Sequence, residues 1–119
     1  MFRRHAGSVI LLGGWLLMTP PVEKGAPRRD SIEDSRGNGY RALTDAPLTR
    51  WEQEAAYDTA RECEHGRDEY QHQHIGAQGV KHTAKSLGEE AAVRLTAAAL
   101  GARCVPAEAV YPPQAPAPK

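Results

Sequence analysis

Two groups of residues in this 119-residue chain have types and spacings that suggest chemistry. The first is the cysteine pair: Cys63 in "AAYDTARECEHG" and Cys104 in "GARCVP", 41 positions apart. The second is His65, Glu69 and His72, which fall at i, i+4 and i+7 and so share one face of a helix. Imidazole and carboxylate together are ligands that suit zinc. The His-Glu-x-x-His pattern is missing, however, and the same surface carries Arg61, Asp68 and Gln73. A solvated face is therefore the expected state of these side chains, with metal binding as the alternative.

Nucleophilic catalysis by Cys63 would need a base beside the thiol. A position near a helix start lowers a thiol pKa, but His65 lies about 160° away round a helix of 3.6 residues per turn. A redox pair would normally read Cys-x-x-Cys, which is absent. There is no phosphate-binding glycine loop and no Gly-x-Ser-x-Gly elbow. The carboxylates of "SIED", "DEY" and "GEE" form no recognisable acid–base dyad. The chain is thus expected not to be an enzyme and to need no cofactor.

The N-terminus suggests a context for the cysteines. "MFRRH" is basic, "AGSVILLGGWLLM" (Ala6 to Met18) is an uncharged apolar run, and "TPP" ends it. That order describes an export signal. The run is shorter than the ~20 residues that span a bilayer. Residues 1–26 are accordingly expected to be a signal peptide, cleaved near Gly25 and Ala26, or a short anchor. Arg3 and Arg4 favour an N-terminus inside and the remainder outside. In an exported chain two cysteines pair most simply with each other. Closing a loop of this length stabilises by roughly 4 kcal/mol as an upper figure.

The composition makes such a staple useful. Aromatic residues are 6% of the chain, and much of its 40% hydrophobic content is alanine, which buries little area. Small cores of this kind commonly need a covalent or metal staple. Lys plus Arg equals Asp plus Glu, 15 each, which argues against general nucleic-acid binding. Contact with a membrane is expected only through the N-terminal segment, and a protein partner is conceivable.

The elements that must position these residues are few. Residues 27–47 are rich in Pro, Gly and charge and read as a disordered linker. Residues 112–119 are proline-rich and read as an extended tail. The domain is expected over 48–111. In "TRWEQEAAYD", Trp51, Gln53, Ala55 and Tyr57 alternate as on one side of a short strand, with Trp51 packing into the core. Asp58 is the expected N-cap of a helix running to about His74, with Ala60, Cys63, Arg67, Tyr70 and His74 facing inward. "IGAQGVKHTAK" suggests a loop or a weak continuation. "SLGE" matches a capping box, with Ser86 as N-cap and Glu89 reaching back. Leu87, Ala91, Leu95, Ala98 and Ala99 would be the buried stripe, and Gly101 a left-handed cap. "ARCVP" would be a brief strand pairing with residues 51–57.

The segments "GWLLMTPP", "DAPLTRWEQEAAYDTARECE" and "ARCVP" resemble small exported bacterial proteins of uncharacterised function. These pair a Trp-led segment and an Asp-Thr-Ala-x-x-Cys-Glu helix start with a later Cys-Val. The resemblance covers about a third of the chain and leaves out residues 65–88. It implies a bacterial exported protein with one bridge, Cys63 to Cys104, and implies no activity. The expected fold is α+β and mainly helical: two helices with one or two short strands, stapled by one disulfide. The expected place is the periplasm or cell envelope.

Overall fold

The computed structural model describes residues 13–111, with residues 77–79 described in their backbone only. The basic start, part of the apolar run and the proline-rich tail lie outside the described residues. Within them the chain is α+β but not mainly helical. Six strands form two three-stranded sheets, accompanied by four α-helices and one 3-10 helix.

The first sheet is built around the end of the apolar run. Trp15–Thr19 is strand β1, bounded by Gly14 before it and Pro20–Pro21 after it. An uninterrupted apolar run with turn signals at both ends is the pattern of a strand buried on both faces. Leu16, Leu17 and Met18 are each no more than 3% exposed. Strand β5 (Glu52–Tyr57) and strand β6 (Arg103–Pro106) flank β1, both antiparallel to it. The expected pairing of "ARCVP" with residues 51–57 is therefore corrected: β1 lies between them. Leu16, Met18, Trp51, Ala56, Val105 and Ala107 form the core on one face, under the 3-10 helix Leu48–Arg50. Leu17, Ala55, Tyr57 and Cys63 form the core on the other.

The second sheet begins at the end of the segment expected to be a signal peptide or anchor and continues through the one expected to be a disordered linker. Strands β2 (Val22–Gly25), β3 (Ile32–Glu33) and β4 (Gly39–Ala42) pair in the order β2-β4-β3, all antiparallel. The composition argument failed here because the segment does not need a core of its own. A single side chain, Tyr40, is fully buried against Val93 and Ala97, and polar bonds hold the turn. The Asp34 carboxylate accepts from the backbone amides of Arg36 and Asn38, from the Asn38 side chain and from the Tyr40 hydroxyl, at 2.9–3.1 Å.

Three helices lead from β5 to β6, the two edge strands of the first sheet. Helix α1 (Ala60–Ile75) is capped by Thr59, whose hydroxyl accepts from the Glu62 amide at 3.1 Å, and not by Asp58. Helix α2 (Ala77–Leu87) stands where a loop or a weak continuation was expected, separated from α1 at Gly76. Ser86 is not an N-cap: it lies in the last turn of α2 and its hydroxyl donates to the His82 carbonyl. The break falls at Gly88, whose φ of 96° is open to glycine, and α3 follows as Glu89–Leu100. The buried stripe of α3 is Ala92, Val93, Ala97 and Ala99, rotated from the expected one, and Leu87 is 67% exposed. Gly101 has φ of −95°, so it is no left-handed cap; it lies close against Pro20. A short helix α4 (Ala107–Val110) ends the described chain.

Candidate functional site

The cysteines meet as expected. Cys63, on the inward side of α1, is fully buried and bonded to Cys104 at the centre of β6, with Cα atoms 6.0 Å apart. The bond ties the helix to an edge strand of the first sheet. Its sulfurs sit in an apolar layer with Leu17, Ala55 and Tyr57, so the pair braces the core. Gly66, one turn on, lets the Tyr57 ring lie directly against the helix backbone.

The three candidate ligands of the alternative metal reading, His65, Glu69 and His72, are not brought together as a trio. His65 Nδ1 and Glu69 Oε1 are 3.4 Å apart, an exposed i, i+4 pair. His72 is exposed on the same helix but does not join them. Among the described residues, no three His, Cys, Asp or Glu side chains are grouped to hold a metal.

A different set of polar groups converges between β5, α1 and α3, and a local irregularity creates it. β5 pairs with β1 as Tyr57–Trp15, Ala56–Leu16 and Ala55–Leu17, then jumps to Gln53–Met18 and Glu52–Thr19. Glu54 is the extra residue of a β-bulge. A bulge shifts the alternation of every residue beyond it. Without it Glu52 and Glu54 would sit on the face opposite Ala55 and Tyr57. With it both point to the α1 side, and Gln53 turns to the other face, where its side chain accepts from the Tyr111 hydroxyl. Trp51 also belongs to that opposite face, its indole donating to the Ala46 carbonyl at 2.9 Å. The single stripe expected of Trp51, Gln53, Ala55 and Tyr57 is thus split in two. Trp51 is a packing residue, as expected, with the Arg103 guanidinium 4.8 Å from its ring centre.

The resulting cleft has a volume of about 270 Å3 and is lined by Glu52, Glu54, Arg50, Tyr70, Arg94 and Thr19, with Val22, Leu95 and Ala98 as apolar wall. Thr19 is almost wholly buried and donates to Glu54 Oε1 at 2.9 Å. Burial pushes the Tyr70 hydroxyl well above the usual tyrosine range, and the Glu54 and Glu52 carboxylates push it the same way. Tyr70 therefore stays protonated, a donor beside two anions. His74, one turn on, lies 4.5 Å from the Tyr70 ring. Burial lowers its pKa and Glu54 partly offsets that. Its Nδ1 is buried without a hydrogen-bond partner.

Tyr70 and His74 were legible as an inward stripe. Glu52, Glu54, Thr19 and Arg50 were not, because a two-residue period carries no sign of the bulge. The one available hint was glutamate in a strand, where it is disfavoured. Compared with protein-family models, curated proteins and solved structures, the chain matches none.

Proposed function

We propose that this is an exported bacterial envelope protein with a non-enzymatic role, structural or in protein interaction. The observation that carries this reading is the Cys63–Cys104 bond. Both cysteines of the chain are used in it, and such bonds persist where thiols are not kept reduced. The resemblance of "DTARECE" and "ARCVP" to small exported proteins supports the same compartment.

In this reading the exported form keeps Trp15 onward. A cut near Gly25 and Ala26 would remove β1 and β2 and leave β5 and β6 without the strand that joins them. No helix among the described residues is long and apolar enough to cross a membrane. The test is alkylation of thiols in intact cells followed by fractionation and mass measurement. Protein in the envelope fraction with both cysteines protected is the expected result. A cytosolic protein with two alkylated thiols overturns the reading.

A further inference from the structure

We propose that the cleft between β5, α1 and α3 binds a small zwitterion, an α-amino acid with an apolar side chain. Three observations lead there, none of which depends on export. First, the bulge at Glu54 turns two carboxylates to one side of the strand, so that Glu52 and Glu54 line the same cleft. Bulges recur where a side chain is re-aimed at a site. An ammonium placed beside two carboxylates is attracted to both. The Thr19 hydroxyl, buried beneath, fixes one oxygen of Glu54.

Second, the cleft carries a positive group in addition to its acids. Arg94 is engaged, bonded to Glu90 and to the Val22 carbonyl. The Arg50 side chain lines the cleft without a hydrogen bond or ion pair to any described residue. A guanidinium of this kind suits a carboxylate. Third, Val22, Leu95 and Ala98 give an apolar wall, and about 270 Å3 is room for one small molecule only. The chemistry that satisfies all three is an ammonium at Glu52 and Glu54, a carboxylate at Arg50, and a short aliphatic body against the wall.

The test uses the full oxidised chain and L-leucine as probe, followed by amide chemical shifts and calorimetry. Saturable binding in roughly the millimolar range or tighter, with shifts at Thr19, Tyr70 and Arg50, is expected. 3-Methylbutylamine lacks the carboxylate and 4-methylpentanoate lacks the ammonium; each should bind at least about tenfold more weakly than leucine. Glu52→Gln and Arg50→Gln, both at exposed or half-buried side chains, should each weaken leucine by a similar factor while the circular dichroism spectrum and the disulfide are unchanged. No shifts at about 10 mM leucine, a weak-affinity ceiling, overturns the proposal. So does an amine that binds as well as leucine, or leucine binding unaltered in both variants.

Discussion

The two sheets are held in place by different forces. The first, β5-β1-β6, is closed by apolar burial on both faces and by a covalent bond from α1 to β6. The second, β2-β4-β3, rests on α3 through Tyr40 and is otherwise tied by charged and polar groups. Lys24 and Arg94 lie 5.8 and 5.5 Å from the Tyr40 ring centre, and Glu90 bonds both of them. Ser35 bonds Glu89 at the start of α3, and Asp34 gathers four donors in the turn. A chain with few large apolar residues thus buries most of them in one sheet and holds the other by the small Tyr40 cluster, hydrogen bonds and charge. The first should tolerate acid and salt; the second should not.

The largest effect that would break this comparison is loss of β1. A chain beginning at residue 20, which keeps β2, should show no cooperative thermal unfolding, because the first sheet has lost its centre; a normal transition would mean that the sheet is not the core. Next comes the bridge. Cys63→Ser with Cys104→Ser should lower stability by up to about 4 kcal/mol in urea titrations under non-reducing conditions, and reduction of the unaltered chain should do the same. Gly66→Ala should cost about 1–3 kcal/mol, since the added methyl overlaps the Tyr57 ring. The smallest global effects belong to the second sheet. Tyr40→Phe should cost about 1 kcal/mol by removing one hydrogen bond, with faster amide exchange confined to β3 and β4.

Acid sharpens the same contrast. Partial burial alone would raise the pKa of Asp34, but bonds from Asn38, Arg36 and Tyr40 together hold it down to about 2. A depressed carboxylate stabilises the fold above its unfolded value of about 4, and that contribution is lost as pH falls through the folded value. Amide exchange at β3 and β4 should therefore quicken between about pH 4 and pH 2, ahead of exchange at β1. Asp34→Asn should flatten that dependence. Equal quickening in both sheets would erase the distinction.

What was legible in the sequence follows the same division. The cysteine pairing was legible from residue type and number, since there are two cysteines 41 positions apart, and the strand at 52–57 from its near neighbours. The second sheet was hidden because its stability comes from α3, more than 50 positions away at Glu89 to Ser35. β1 was not legible as a strand, because an apolar run reads alike in an export segment and in a strand buried on both faces. The α3 stripe was misplaced because the helix is Glu89–Leu100 with Gly88 before its first turn, two residues beyond the Ser86 that the sequence suggested. The cleft was invisible for a subtler reason: one unpaired residue, Glu54, reverses the facing of everything before it in the strand.

The position of β1 also sets a timetable. Its partners are β5, in the middle of the chain, and β6, near its end, and Trp15 faces Pro106 directly. Synthesis runs from the N-terminus at about 5–20 residues per second, so the most apolar strand emerges first and waits on the order of 4–20 seconds for its last neighbour. For the later part of that interval β1 can pair with β5 on one edge, while its other edge has no neighbour. The sheet can close only when β6 arrives, so its middle strand is completed last.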